Sequence, residues 1–564
     1  MDSTDQKGSK KSLYEFFSDI PPMSYVRRFN RVESYVPFIV VTVIYTALII
    51  WISVFHELWF DEAQTWMIAK DASLYDILFK IPHYETHPPL WHLMLAIPAK
   101  SGLPYELSMK AIQILTAVLM VAVIEFKSPL PNIIKVILPF TYWTAYQYGV
   151  ISRPYALFAA LLFLCASLYL ERDEKPVQYC VVLGILSLTS LYGLMIAAMI
   201  AAAWIFKLML KYKGGFAKKF FGEDRARLIS LLALLVFGIC VALTVWPWSD
   251  TAGMLASALN PGMLGKCLAN AFLVIPSETF FSINTHPNAL LLSVDVEPME
   301  LILCALRSVV AFFAVLALPF RKKRLLDSVL PLGGFLVIAA FYSMVHHFGL
   351  FFVLAVYCIW IGFYDCEKKE KEAPSVSGGI VTAVLVYMLA FPLVWTVTSA
   401  ISEIKNNYDY GKDTAAWITE NNLQDYNWLA AWQPVDLTYT SYNISITTSA
   451  YLGRPVNYNL HGGLSYCIRD TGDYEAALRE AKELQKYGSP DFIIANRRSQ
   501  FKADLTAIGG VWSDYELVCV TNGGNIDRGR CFRSVLGVWM NKDNKKLPSV
   551  KAQTEVPEGF VLED

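Results

Sequence analysis

The sequence predicts a polytopic α-helical membrane protein with about 11 transmembrane helices, followed by an extracytoplasmic α/β domain. Three observations predict it. Of 564 residues, 55% are hydrophobic and only 17% charged, and mean hydropathy is +0.39, whereas soluble domains run nearer a quarter charged. Apolar runs of the length a bilayer core demands, about 20 residues per helix, recur as far as Ala400 and then stop. Basic residues gather in alternate connections, as cytoplasmic loops do.

The chain opens with a cytoplasmic basic leader, 1–35, carrying Lys7, Lys10, Lys11, Arg27, Arg28 and Arg31. It has neither the apolar core nor the small-residue cleavage site of a signal peptide. The predicted spans lie at about 36–55, 107–126, 132–148, 154–170, 176–190, 191–210, 227–247, 299–320, 328–345, 348–364 and 378–400. The third and fifth are short, and each leads into another apolar run. The leader, the stretch "KLMLKYKGGFAKKFFGEDRARL", the "RKKR" of 321–324 and "DCEKKEKEAP" all fall on one side if these spans are counted as given. That side is the cytoplasm, so everything after the last span lies outside. The formal net charge of −1 offers nothing to nucleic acid.

Two outer loops, about 56–106 and 248–298, are longer than connectors need be, a length that marks function. In the first, "WFDEAQTWMIAK" sets Trp59, Ala63, Trp66 and Met67 on one side of a helix, with Asp61, Gln64 and Thr65 on another. Such a helix suits the membrane surface, its indoles at headgroup level. A second helix begins at "PPLWHLML", where proline is tolerated. The 248–298 loop is expected to be shallow or re-entrant.

The extracytoplasmic α/β domain occupies 401–540, and 541–564 reads as a loose tail. "GKDTAAWITENNL" and "YEAALREAKELQKYG" have helical periodicity, while "NWLAAWQ" and "DFIIANR" read as buried strands. "YELVCVT" and "RCFRSVLGVW" form a hairpin. Of the ten cysteines, Cys165, Cys180, Cys240, Cys304 and Cys358 lie in predicted spans; Cys519 and Cys531 flank the hairpin turn, where a disulfide is one possibility. No CxxC and no zinc-ligand spacing occurs.

On this topology Asp61, Glu62, His83, Glu85, His87, His92, Arg153, His346 and His347 converge on the outer face, with His286 in the second loop. Each has a plain structural reading. Acids stabilise a helix start, arginine snorkels to headgroups, and paired histidines make a polar turn. Glu85, Glu278, Asp295 and Glu297 read as solvated loop residues. Taken together, an acid, a fixed arginine and histidines at the lipid boundary suit a reaction on a phosphorylated lipid. The acid takes a proton from a hydroxyl, arginine grips phosphate through its planar fork, and histidine donates to it.

The first loop resembles the polytopic GT-C glycosyltransferases, specifically the protein O-mannosyltransferase and aminoarabinose transferase superfamily. The likeness rests on "FDEAQTW", with Asp61 and Glu62, and "THPPLW", with His87, Pro88, Pro89 and Leu90. It extends more loosely to "ISRPYAL" and "HHFGLFFVLAVYCIW". The resemblance implies a GT-C-like transmembrane domain over 36–400. It also implies inverting transfer of a sugar from a polyprenyl-phosphate-linked donor to a hydroxyl acceptor on a glycan, lipid or protein. Asp61 would be the general base with Glu62 as helper, and His87, Arg153, His346 and His347 would bind the donor phosphate. No spacing demands a metal; a divalent ion is compatible with the acids and histidines but not required. The expected setting is a multi-pass integral protein of the plasma membrane, with its N-terminus cytoplasmic. A transporter would concentrate ionisable residues within spans near the midplane, and a non-catalytic scaffold would need none of them.

Overall fold

The computed structural model describes residues 29–30, 33–212, 215, 222, 224–251, 261–281, 297–341, 343–364, 376–430, 432–435, 438–456, 465–468, 488–496, 505–506, 509–559 and 562. Helix α1 (Val36–Phe55) leads into the first long connection, which folds as α2 (Phe60–Asp71), α3 (Leu74–Phe79), α4 (Ile81–Glu85) and α5 (Leu90–Lys100). Then come α6 (Tyr105–Lys127), α7 (Asn132–Ile137), α8 (Tyr155–Leu168), α9 (Pro176–Ser187), α10 (Leu191–Tyr212) and α11 (Arg225–Thr244). The second long connection contributes α12 (Pro261–Ala269) and α13 (Ile275–Phe280), joined by a π-helical turn over Asn270–Val274. Helices α14 (Pro298–Arg321), α15 (Leu325–Phe341), α16 (Phe348–Phe363) and α17 (Val376–Lys405) complete the helical part.

Among the described residues, seven helices are long and apolar enough to cross a membrane, namely α1, α6, α10, α11, α14, α16 with the turn before it, and α17. Helices α8, α9 and α15 are shorter but apolar. The reason is visible in α1. It buries Phe38, Val41, Tyr45, Ile49 and Ile52 yet leaves Val43, Ile44, Ile50 and Val54 outside, so it is apolar on every side, as a lipid-facing helix must be. Helix α16 is the opposite extreme, with every residue from Phe348 to Phe363 buried.

The third predicted span is the exception. Instead of one helix, 132–148 is α7, a 3-10 turn over Leu138–Phe140, an extended Thr141 and a π-helical turn over Tyr142–Gln147. Pro139 has no N–H to give and crowds the preceding turn. The hydroxyls of Thr141 and Thr144 take over, donating to the Leu138 carbonyl at 2.9 and 2.6 Å. The broken element still runs from the Asn132 amide, which donates to Phe29 O at 2.9 Å, to the Tyr142 hydroxyl, 2.8 Å from Asp527. Gly349 of α16 makes room for it, since a Cβ there would sit 2.5 Å from both Trp143 and the Tyr148 hydroxyl.

After α17 the chain forms α18 (Gly411–Glu420), β1 (Trp428–Ala430), β2 (Trp432–Val435), β3 (Thr438–Asn443), α19 (Ile446–Leu452), β4 (Phe492–Ala495), β5 (Tyr515–Asp527) and β6 (Arg530–Asn541). The main sheet has the order β1-β4-β6-β5, with β1 and β4 parallel and the rest antiparallel; β2 and β3 pair separately. The helix expected over "YEAALREAKELQKYG" lies outside the described residues. The segment read as a loose tail returns to the sheet: Gln553 N–H donates to Val518 O at 2.9 Å and Val520 N–H to Gln553 O at 2.7 Å.

The β5–β6 hairpin is longer than its glycines suggest. Asp527 opposes Arg530, so the turn is Arg528–Gly529, both in the left-handed region with φ of 49° and 87°; such a two-residue turn matches strand twist. Cys519 opposes Val538 while Cys531 opposes Ile526. That separates the two cysteines by roughly 24 Å at about 3.4 Å per residue, far outside disulfide reach, and both are free thiols.

Candidate active site

Helix α2 begins with Glu62 accepting the Trp59 N–H at 3.0 Å, which satisfies a backbone donor the helix leaves open. Asp61 stands in the same first turn and pairs with Arg153, Oδ2 to Nη1 3.0 Å, both side chains little more than a tenth exposed. Arg153 sits in the short link between the broken third segment and α8, its guanidinium 5.8 Å from the Tyr155 ring. The DE motif and the "SRP" link, distant in sequence, therefore meet.

Glu62 turns the other way. It is fully buried, and besides Trp59 it accepts the backbone N–H of Ser152, the residue before Arg153. Its other partner is His56, Nε2 3.1 Å away, and His56 Nδ1 lies 2.8 Å from Glu403 near the end of α17. Glu403 in turn accepts the Tyr146 hydroxyl. Burial works against a charge on His56, but the carboxylates Glu62 and Glu403 outweigh it and raise its pKa to about 10. The ring is thus an imidazolium donating from both nitrogens. Glu62, expected as a helper base beside Asp61, has its oxygens committed to this network, and its carboxylate ties the start of α2 to the Arg153 link.

The histidine pair divides in the same manner. His347 Nδ1 accepts the Met344 N–H at 3.1 Å, so Nε2 carries the proton and donates to the Tyr155 hydroxyl at 2.9 Å. Tyr192 stands 3.2 Å from Nδ1, and the ring is buried. His346 instead lines a small cavity together with Arg153, Tyr155, Trp59 and Tyr408. His87 is half-buried and, with His346 and Arg153, lies within electrostatic reach of His347. Just before it, Thr86 adopts a left-handed conformation, φ 54°, uncommon for a β-branched residue. All four residues expected at the phosphate are therefore neighbours, but His347 holds Tyr155 where His346 faces the cavity.

Several expectations are corrected. Helix α2 does not lie at a lipid surface. Its residues from Glu62 to Ala69 are buried, Trp66 packs on Tyr105 at 5.5 Å, and the loop at Cys467 grips Gln64 through two hydrogen bonds of 2.7 and 2.9 Å. The C-terminal region covers it. Glu85 and Glu278, read as solvated, are buried, with Glu85 accepting from Gln64 at 3.0 Å and Glu278 from Arg528 at 2.8 Å. His83 stacks on Trp248, and His92 is buried in α5. His286 and Asp295 lie outside the described residues. Among the described residues no group of three or more His, Cys, Asp and Glu is arranged to hold a metal ion.

Sequence reasoning missed His56, Glu403, Tyr155, Gln147 and the β5 residues. The signal for two of them was present: His56 and Glu403 are ionisable residues at the ends of the first and last spans.

No family model and no curated protein matches the chain. Among solved structures it is similar to ArnT from Cupriavidus metallidurans in the apo state, at 13% identity and a TM-score of 0.48, covering 88% of this chain and 97% of that one. The same protein bound to undecaprenyl phosphate gives 12% identity, a TM-score of 0.48 and coverage of 89% and 97%. Arabinofuranosyltransferase AftD from Mycobacteria gives 12% identity, a TM-score of 0.35 and coverage of 91% of this chain but 40% of that one.

Proposed function

We propose that the chain is a GT-C-type membrane glycosyltransferase that moves a sugar from a polyprenyl-phosphate donor to a hydroxyl acceptor on the extracytoplasmic side. The observation that carries this reading is the Asp61–Arg153 pair at a cavity lined by Arg153 and His346. The DE and HPPL motifs support it from the sequence side. A membrane supplies the long prenyl tail with its solvent while the headgroup reaches the cavity.

The acceptor hydroxyl attacks the anomeric carbon from the face opposite the phosphate and gives its proton to the Asp61 carboxylate. The bond between the anomeric carbon and the phosphate oxygen breaks, and the electron pair leaves with polyprenyl phosphate. Configuration inverts. Arg153 and His346 meet the negative charge that grows on the leaving oxygen, donors aimed where charge develops being the strongest means of lowering such a barrier. A planar guanidinium with five N–H groups is able to hold a carboxylate on one edge and a phosphate on another. Glu62, His56 and Glu403 act as positioning residues for this pair, and His347 for Tyr155. The termini follow: N-terminus cytoplasmic, the 401–540 domain and the 541–564 tail outside.

The test is release of polyprenyl phosphate from a panel of donors by the purified chain in liposomes, with membrane extract as acceptor. Arg153→Lys keeps the charge but loses the fork, and should raise the donor KM by about tenfold or more, the scale of a charge-assisted hydrogen bond. An unchanged donor KM would remove Arg153 from the phosphate.

A further inference from the structure

The cavity has one wall that does not come from the membrane part. Asn525 and Ile526 of β5 line it, carried there by a hairpin whose tip is driven into the helical bundle. Arg528 at that tip is fully buried. It donates to Glu278 of α13 at 2.8 Å and stands over the rings of Trp143 and Trp395 at 5.6 and 5.2 Å. Gly524 N–H is shared between the carbonyls of Asn407 and Tyr408, at 3.0 and 3.1 Å. Gly523 permits this approach, since a Cβ there would fall 2.6 Å from the Asp409 backbone. The position of Asn525 is thus fixed on both sides.

Residues two apart on a strand share a face, so Asn525 looks the same way as Asp527. The Asp527 carboxylate lies 2.8 Å from the Tyr142 hydroxyl, which lies 2.8 Å from the Gln147 amide. Gln147 also lines the cavity and is buried. One end of its amide is committed to Tyr142. The other end, and the whole amide of Asn525, have no hydrogen-bond partner among the described residues. A side-chain amide offers two N–H donors and a two-lone-pair acceptor, the set that matches a hydroxyl, which both donates and accepts. Beside them the Trp59 indole N–H is buried without a partner among the described residues, and its ring gives an apolar floor. The cavity therefore has the Arg153 guanidinium and the His346 ring at one end and is neutral, amide-rich and aromatic at the hairpin.

We propose that the β5–β6 hairpin forms the sugar-reading wall of the site, with Asn525 and Gln147 hydrogen-bonding the hydroxyls of a sugar whose phosphate lies against Arg153 and His346. This rests on the donor reading above and assigns to the C-terminal domain the choice of sugar. Its partner is a hydroxyl-bearing sugar headgroup, not the lipid tail.

The experiment measures equilibrium binding of the full chain to bare polyprenyl phosphate and to a panel of polyprenyl-phosphate sugars differing in the configuration of single hydroxyls. Wild type should bind at least one sugar-bearing lipid more tightly than the bare phosphate. Asn525→Ala should lose about 3- to 10-fold on that sugar, the scale of one neutral hydrogen bond, while bare polyprenyl phosphate binds as before. Unchanged binding of the bare lipid also reports that the hairpin is folded. Asn525→Gln, which keeps the chemistry and moves it by one methylene, should reorder the panel. If both variants keep the wild-type ranking and affinities, the inference is overturned while donor use stands. If wild type binds all sugars no better than the bare lipid, it is likewise overturned. Asn525-dependent sugar binding without any release of polyprenyl phosphate would uphold the wall and overturn the transfer reaction.

Discussion

Asp61 and Glu62 are adjacent, share a charge, and do different things because a helix turns about 100° between them. Asp61 meets Arg153 at 3.0 Å, while Glu62 enters a buried network with His56 and the Ser152 amide. The sequence shows two acids at a helix start and cannot say which one points inward. His56 makes that division testable through pH. Its folded pKa, about 10, lies above its ordinary 6.5. The stability it contributes is therefore complete below about pH 6.5 and lost as pH rises through about 10. Glu57 and Asp409, raised by burial to about 8 and about 7, also lose stability with rising pH, but in a lower window. Thermal unfolding in detergent should show Tm falling steadily toward pH 10 in wild type. His56→Gln should unfold lower at neutral pH, by about 3–5 kcal/mol as an unpaired buried charge costs, and its Tm should flatten above about pH 8. A parallel decline in both proteins up to pH 10 would show that His56 is not the group titrating.

At the scale of elements, the sequence was most legible where periodicity repeats and least where a single residue interrupts it. Ten of the predicted spans correspond to apolar helices, and the strand "DFIIANR" and the hairpin form, while "NWLAAWQ" divides into β1 and the start of β2 in separate sheets. The segment 132–148 looks as apolar as its neighbours, yet Pro139 breaks it and its far half becomes the π-helical turn carrying Tyr142, Tyr146 and Gln147. Hydropathy carries no information about such a break. The β5–β6 tip was hidden for a related reason: "DRGR" reads as a solvated turn, and only tertiary structure supplies Glu278 and two indoles. Arg528→Ala should destabilise by about 3–5 kcal/mol by leaving Glu278 buried and unpaired. Arg528→Met with Glu278→Met should recover part of that loss, since apolar replacement of a buried pair is near neutral, while Asp527, whose Oδ2 lies 3.7 Å from Arg528 Nε, still loses its cation. Denaturant midpoints of the two variants check this; equal loss in both would mean the tip contributes by shape and not by its ion pair.

For the whole molecule, the candidate site is an assembly of parts far apart in the chain: the first long connection, the link before α8, the turn before α16, the end of α17 and the C-terminal hairpin. Motif reading found the first three because acids, arginine and histidines stand out in an apolar sequence. It passed over Glu403, although an acid at the end of an apolar span stands out, because its partner Tyr146 lies more than 250 positions away; Asn525 carries no such mark and takes its meaning only from the cavity it lines. The sidedness inferred from the basic loops predicts that single cysteines at Asp425 and at Arg321, in a chain cleared of native cysteines, differ in labelling. The first should react with an impermeant maleimide on intact cells and the second only after permeabilisation.

Asp61 as the proposed base of a lipid-donor glycosyl transfer is checked by a single comparison. Wild type and Asp61→Asn, matched for folding by Tm and reconstituted in liposomes, are given polyprenyl-phosphate sugars and membrane extract, and released polyprenyl phosphate is followed. Wild type should release polyprenyl phosphate, and the variant should release about 10²–10⁴-fold less, the range a positioned general base supplies. Equal release by both proteins, or none by wild type with any donor, would contradict it.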